Sequence, residues 1–110
     1  MADVDDSANS PPLGIQTRAD AAGAPVIAVS GDLDISGVER LRGAVAEAAA
    51  QHPEQLIFDV SDLRFMDSAG IAVLLVAASS VPSVRLLNPT APVRRVIELT
   101  GLTDVLRVEP

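Results

Sequence analysis

The sequence predicts an α/β domain with a small, mixed and mostly parallel β-sheet of about five strands and three helices. Short runs rich in Val, Ile and Leu, typical of strands, alternate with longer segments whose apolar residues recur at helical spacing. The predicted order is β-β-α-β-α-β-α-β, and strands separated by helices pair in parallel through right-handed crossovers. At 110 residues, 48% of them hydrophobic, the chain can bury one core but not two.

The first two strands are predicted to form a hairpin. Residues 15–18 (IQTR) alternate apolar and polar side chains, and residues 26–30 (VIAVS) have the composition of a buried strand. The segment between them contains the Gly and Pro of a turn. Residues 1–12 combine three aspartates, two serines and a Pro-Pro pair, which predicts a disordered acidic tail before a domain spanning residues 13–110.

The first helix is predicted between Ser36 and Pro53. Ser36, with Glu39 three residues later, fits a capping box, in which two side chains satisfy free amides at a helix start. Pro53 ends the helix because proline cannot continue it. A buried strand over residues 56–60 (LIFDV) and a loop over residues 61–67 (SDLRFMD) are predicted to follow.

The second helix is predicted over residues 68–80. This segment is apolar almost all round, so we expect the helix to be largely buried, with Leu74 or Leu75 fully so. A short strand over residues 84–87 (VRLL) comes next.

The third helix is predicted to begin with Thr90 as its cap and to end at Gly101. Residues 104–108 (DVLRV) are predicted to form the last strand. The inner face of this helix is predicted to carry four apolar residues, Val93, Val96, Ile97 and Leu99.

Composition and charge exclude several classes of function. The net charge of −7 and pI near 4.4 disfavour binding to nucleic acid or to anionic membranes. The absence of cysteine excludes disulfides and thiolate metal sites. All eight basic residues are arginine, which excludes both Schiff-base chemistry and a phosphate-loop lysine.

Nothing in the sequence predicts export or membrane insertion. The N-terminus is acidic and polar, whereas a signal peptide is basic and then apolar. The longest apolar run, residues 71–78, has eight residues, and a bilayer span needs about 20. We therefore expect a soluble cytoplasmic protein.

Polar residues collect in the loops that leave the carboxyl ends of the predicted strands. In a parallel α/β sheet these loops lie at one edge, where functional sites usually form. The predicted loops at this edge hold seven such residues: Asp32, Asp34, Asp62, Asp67, Ser68, Asn88 and Thr90.

Common enzyme chemistries do not fit this edge. The only histidine, His52, precedes the strand that Ser68 follows, so a serine hydrolase pair would be separated by about 17 Å at about 3.3 Å per residue. No dinucleotide or phosphate-loop motif is present. Oxygen ligands suit hard cations, but no closely spaced ligand loop occurs among the four aspartates at this edge, Asp32, Asp34, Asp62 and Asp67. We predict neither catalysis nor a bound metal or cofactor.

Asp67 and Ser68 stand directly before the second predicted helix. One of them is expected to cap that helix by satisfying its first free amides. Ser68, with the small residues Ala69 and Gly70 beside it, is also placed where a kinase could reach it. A phosphate there would face the free amides and the positive end of the helix dipole. The two interpretations are compatible.

Three ordered blocks of the sequence follow a known pattern. The block VSDLRFMDSAGIAVLL contains an Asp-Ser-x-Gly core after a buried strand. GDLDISGVERL contains a Gly-x-Leu-Asp segment, and PVRRVIELTGLTDVL contains a helix, a Gly-Leu pair and a final strand. Together, over residues 13–108, these blocks resemble STAS domains of the anti-sigma factor antagonist type.

This resemblance implies a partner-switching function and no enzyme activity. Members of the family bind an anti-sigma factor that is itself a serine kinase, and so free a sigma factor. The kinase phosphorylates the serine of the motif, here Ser68, which ends binding until a phosphatase removes the phosphate. Asp34 matches a family aspartate near the nucleotide-binding face of the partner. Many members carry a second serine at the position of Ala69.

Two alternatives to the antagonist function remain open: a STAS module in another assembly, such as a lipid-transport complex or a stress-sensing scaffold, and a nucleotide-binding or weakly hydrolytic domain.

The resemblance and the predicted edge together define a candidate partner contact. The predicted contact consists of seven residues: Asp34, Ile35, Ser36, Met66, Asp67, Ser68 and Ile71.

Overall fold

Five strands form one sheet in the computed structural model, which describes residues 13–109. The strands lie in the order β1-β2-β3-β4-β5; β1 pairs antiparallel with β2, and all other pairs are parallel. The predicted α/β class, the mixed sheet and the element order are confirmed. The predicted tail, residues 1–12, lies outside the described residues. The strands are β1 (Gly14–Ala19), β2 (Pro25–Leu33), β3 (Gln55–Met66), β4 (Ser83–Leu87) and β5 (Arg107–Glu109).

Three α-helices connect the parallel strands: α1 (Val38–Ala49), α2 (Ser68–Ser80) and α3 (Ala91–Leu99). A 3-10 helix, Leu102–Asp104, precedes β5. Among residues 13–109, no helix is long and apolar enough to cross a membrane.

The turn of the hairpin between β1 and β2 is stabilised by the carboxylate of Asp20. Asp20 Oδ1 accepts hydrogen bonds from the backbone N–H groups of Ala22 at 2.9 Å and Ala24 at 2.8 Å. Gly23 adopts a φ of 89°, a left-handed conformation that glycine reaches without strain. The turn predicted for this segment is therefore confirmed.

The hydrophobic core lies on one face of the sheet, under the three helices. Inward-facing residues alternate along the strands; Ile27, Val29 and Leu33 of β2 are each at most 2% exposed. The largest buried side chain, Phe58 of β3, belongs to the same cluster. With few aromatics available, the helices complete the core with aliphatic residues such as Leu41 of α1.

β2 and β3 run further than the sequence predicts. β2 continues to Leu33 and β3 to Met66, so residues 61–67 are not the predicted loop. The register between the strands shifts twice, and each shift leaves one more residue on β3 than on β2. Such bulges interrupt the two-residue alternation by which a strand is recognised. The extension brings the ends of the two strands together.

The last strand is shorter than predicted. Residues 104–108 do not form one strand, because the 3-10 helix continues to Asp104 and β5 begins only at Arg107. The guanidinium of Arg85 on β4 donates hydrogen bonds to both carboxylate oxygens of Glu109, which ties this three-residue strand to the sheet. The same interaction lowers the pKa of Glu109.

The exposure of α2 and α3 also differs from the prediction. α2 is not buried all round: Leu74 is 3% exposed, as expected, but Leu75 is 43% exposed. On α3 the inner-face positions Val93 and Ile97 are buried, whereas Leu99 is 76% exposed. Leu99 follows Ile97 by two residues, which places it about 200° around the helix axis, on the opposite side. Gly101 follows with a φ of 74°, as predicted for a helix stop.

Candidate functional site

The carboxyl ends of β2 and β3 lie side by side. Leu33 and Met66, the last residues of the two strands, are paired, and the N–H of Asp67 donates to the Leu33 carbonyl at 3.3 Å. The segment after β2, which starts at Asp34, is therefore adjacent to the segment after β3, which contains Ser68. Two of the predicted loops thus meet at this edge of the sheet.

Asp67 is the cap of α2. Its backbone is extended, and its Oδ1 accepts a hydrogen bond from the Ala69 N–H at 2.9 Å. Ser68 is the first residue of the helix and is exposed. Within the described residues, its hydroxyl makes no hydrogen bond. Because Asp67 does the capping, the cap does not use the Ser68 hydroxyl.

The loop between β2 and α1 is ordered by a second aspartate. Asp34 Oδ1 accepts hydrogen bonds from the Ser36 hydroxyl at 2.7 Å and from the Ser36 N–H at 3.0 Å. The predicted capping box of Ser36 and Glu39 is wrong: Gly37 is the N-cap of α1, without a side-chain cap, because the Ser36 hydroxyl bonds Asp34 instead. This local bonding is an alternative to capping that short polar residues readily adopt.

Two hydrogen bonds from Ser36 favour the ionised form of Asp34. The Ser36 hydroxyl first, and then the Ser36 N–H, lower the pKa of the Asp34 carboxyl below the ordinary value. A lowered folded-state pKa means that this interaction stabilises the fold above the ordinary pKa and is lost as the pH falls through the folded-state pKa.

We expect Ser36→Ala to raise the pKa of Asp34 toward its ordinary value, because the variant loses the hydroxyl hydrogen bond, which lowers this pKa more than the N–H hydrogen bond does. The measurement is a titration of the aspartate carboxyl carbons by NMR. Ser61→Ala is a matched control, since the Ser61 hydroxyl bonds Asp59 Oδ1 at the same distance of 2.7 Å. That control should raise the pKa of Asp59 alone; an unchanged Asp34 pKa in Ser36→Ala would contradict the interpretation.

The segments that follow β2 and β3 are each packed closely at a glycine, Gly37 in the first and Gly70 in the second. The side chain of Leu13 packs against Gly37, where an added Cβ would lie 2.7 Å from Leu13 Cδ2, and Arg40 Nη1 donates to the Leu13 carbonyl at 2.9 Å. Under α2, a Cβ at Gly70 would lie 2.6 Å from Met66 Cγ and 2.8 Å from a Leu33 methyl carbon. Glycine at this position lets the first turn of α2 rest directly on both strand ends.

We expect Gly70→Ala to destabilise the fold by about 1–3 kcal/mol, the usual range for overpacking a core. Gly43→Ala is the matched control: Gly43 lies in α1 with no atom near its missing Cβ, so alanine there should stabilise by about 0.5–1 kcal/mol. Urea unfolding of both variants measures the difference. Equal stability of the two variants would show that Gly70 is not tightly packed.

The predicted contact residues are not all accessible. Ile35 is 77% exposed, and Ile71, Asp34 and Asp67 are partly exposed. Met66 is only 3% exposed, so it cannot be a surface contact as predicted. It faces the core because it continues the inward-facing pattern of β3 and supports Gly70 from below.

Two predicted edge residues also lie elsewhere. Asp32 and Asp62 are within β2 and β3 rather than in loops; Asp32 pairs with Phe65, and Asp62 pairs with Ser30. Among residues 13–109, no three carboxylate, histidine or cysteine side chains are grouped as metal ligands. Asp34 and Asp67 each accept a hydrogen bond from a nearby backbone N–H group.

Beyond β4, Thr90 does reach this part of the molecule. It is the N-cap residue of α3, as predicted, but its hydroxyl donates to the Leu63 carbonyl of β3 at 2.8 Å instead of capping the helix.

Phe65, 48% exposed at the end of β3, is an apolar surface residue that the sequence did not reveal. The bulged register hid its position, because residues 61–67 do not alternate regularly.

Comparison with known proteins decides the family. A family model described as "Mlab, STAS domain" matches residues 17–108, which is most of the chain. The chain belongs to the STAS domain family. The anti-sigma-F factor antagonist RsfB of Mycobacterium tuberculosis is 30% identical to this STAS domain over 95 residues, which cover 84% of this chain and 78% of RsfB.

Solved structures with this fold include several anti-sigma factor antagonists. The structure of one from Mycobacterium paratuberculosis has a TM-score of 0.84 and 26% identity, and the match covers 92% of this chain and 90% of that chain. The antagonist SpoIIAA in its unphosphorylated form has a TM-score of 0.75 and 28% identity, covering 86% and 87%. Bacillus SpoIIAA in its phosphorylated form has a TM-score of 0.68 and 27% identity, covering 86% and 90%.

Proposed function

We propose that this STAS domain is an anti-sigma factor antagonist. It binds an anti-sigma factor that is a serine kinase, so that a sigma factor is released, and phosphorylation of Ser68 ends the binding. A phosphatase acting on phospho-Ser68 restores it. The protein acts in the cytoplasm and has no catalytic activity of its own. The names of its relatives support the antagonist role, and the phosphorylated state of Bacillus SpoIIAA supports the switch.

The observation that carries the proposal is the free hydroxyl of Ser68. It lies exposed on the first turn of α2, next to a cap that another residue already provides. A phosphate there meets the positive end of the helix dipole, worth about 0.3–1 kcal/mol, so the fold tolerates the modification. Ala69 follows Ser68, so the motif offers the kinase a single acceptor.

The same phosphate disfavours binding of the anti-sigma factor. It adds about −1.5 to −2 charges beside Asp67 and near the Asp34 loop. A docked protein would have to desolvate this group and accept the like-charge repulsion unless it supplied an arginine. One modification therefore leaves the domain folded and weakens the complex.

Reconstitution tests the antagonist role. The partner that copurifies from the native bacterium is identified by mass spectrometry, and then purified with its sigma factor. We expect an ATP-binding anti-sigma factor that releases the sigma factor when this STAS domain is added. Copurification of transporter subunits instead would favour a lipid-transport assembly. Binding of ATP or GTP to the isolated domain, measured by calorimetry, would favour the nucleotide-binding alternative.

We expect Asp34→Ala to weaken binding of the anti-sigma factor at least tenfold, about 1.4 kcal/mol, while the protein stays folded. Asp34→Asn separates charge from loop shape, because asparagine keeps an oxygen that can accept from Ser36. If the asparagine variant binds like wild type, Asp34 acts through the loop; if both variants do, Asp34 lies outside the contact. Isothermal calorimetry and circular dichroism provide the two measurements.

A further inference from the structure

The outward face of α2 carries no charge. With 3.6 residues per turn, Ser68, Ala72, Leu75, Val76 and Ser79 fall on one side of the helix, and each is exposed. Leu75 is 43% exposed and Val76 is 46% exposed. No residue from 68 to 80 is charged. We name Ala72, Leu75 and Val76 the α2 stripe.

Neither of the other helices presents such a face. The exposed side of α1 carries Glu39, Arg42 and Glu47, and that of α3 carries Arg95 and Glu98. The protein has a net charge of −7, yet among the three α-helices of residues 13–109 the solvent side of α2 is wholly uncharged. Exposed apolar residues that are grouped on one helix face, rather than scattered singly, form a candidate interaction surface.

The opposite side of α2 is firmly packed, so the stripe is rigid. Val73 is 1% exposed, Leu74 is 3% exposed and Ala77 is fully buried. Gly70 seats the first turn on the ends of β2 and β3. A partner would meet this face without having to order it first, which lowers the entropic cost of binding.

The α2 stripe lies on the same face of the helix as Ser68, the proposed phosphoacceptor. Ser68 and Ser79 are eleven residues apart, about 16 Å along the helix. A standard interface buries about 800 Å² on each partner, which corresponds to a disc of about 16 Å radius. An interface of this radius, centred on Ser68, therefore includes the α2 stripe. A kinase that places its phosphate donor at Ser68 would contact the stripe as well.

We propose that the α2 stripe is a docking surface for the same anti-sigma kinase, which contacts it with an uncharged apolar surface. This inference rests on the proposed function and adds a region that supplies affinity separately from the charge switch. Leu75 lies about 10 Å along the helix from Ser68, far enough for the two effects to be nearly independent. Loss of the α2 stripe should therefore weaken binding of the kinase by the same factor whether Ser68 is phosphorylated or not.

The test compares Leu75→Glu with Leu99→Glu. Both replace an exposed leucine with glutamate and change the net charge equally, but Leu99 is at the end of α3. We expect Leu75→Glu to weaken binding of the copurified anti-sigma factor at least tenfold, and Leu99→Glu less than twofold. In Ser68→Asp/Leu75→Glu the two losses should multiply. Melting temperatures verify that both single variants are folded.

Three results would overturn the inference. If wild type binds the anti-sigma factor and Leu75→Glu binds equally well, only the stripe is excluded. If light scattering shows that Leu75→Glu dissociates a homodimer without changing affinity for the anti-sigma factor, the stripe is covered by a second copy instead. If wild type binds no anti-sigma factor, the proposed function fails and the inference fails with it.

Discussion

Replacing Leu74 with alanine should lower the free energy of unfolding by about 2–5 kcal/mol, the usual cost of truncating a buried leucine. Leu74 is 3% exposed and faces the core from the middle of α2. A domain of this size has a total stability of about 5–15 kcal/mol, so the variant should unfold at much lower urea concentration or fail to fold at 37 °C.

The adjacent residue is the matched control for this prediction. Leu75 has the same side chain on the same helix, but it is 43% exposed. Leu75→Ala should cost less than about 1 kcal/mol, because little apolar area leaves a packed environment. Urea denaturation of both variants gives the comparison. Equal losses would mean that α2 is rotated about its axis relative to the arrangement described above.

Ser68→Asp should weaken binding of the anti-sigma factor about a hundredfold, or about 2.8 kcal/mol. The aspartate places a carboxylate at the start of α2, where the helix dipole tolerates it but a docked partner must desolvate it. The circular-dichroism spectrum should remain native. Calorimetric titration of the purified anti-sigma factor gives the affinity.

Two neutral variants separate the causes of that loss. Ser68→Ala should bind like wild type, because it removes only a hydroxyl without a hydrogen bond inside the described domain. Ser68→Asn has the size of the aspartate variant without its charge. Weak binding of both the asparagine and the aspartate variants would assign the switch to volume, and wild-type affinity for both would exclude Ser68 from the contact.

The order of elements, and the meeting of the segments that contain Asp34 and Ser68, could be predicted because both depend on local patterns. The spacing of apolar residues predicts the strands and helices, and parallel pairing brings the carboxyl ends of the strands to one edge. Asp67 could be named as one of two candidates for the cap. The choice between Asp67 and Ser68 required backbone geometry, which places only the Asp67 oxygen near the Ala69 N–H.

Features that depend on tertiary structure could not be predicted. The bulges of β3 break the strand period, so residues 61–67 resembled a loop and Met66 resembled a surface residue. The capping box at Ser36 had the right spacing, but the nearby Asp34 carboxylate took the hydroxyl. In α2 the apolar residues surround the axis, and a pattern without a polar side cannot indicate which face points outward.

The most direct test of the Ser68 switch is incubation of the protein with its purified anti-sigma factor and ATP. Phosphopeptides are then mapped by mass spectrometry, and the affinity of the phosphorylated protein is measured. We expect phosphate on Ser68 alone, none in Ser68→Ala, and binding at least a hundredfold weaker after modification. Phosphate on Ser61 or Ser79, or unchanged affinity of the phosphorylated protein, would contradict the proposed switch.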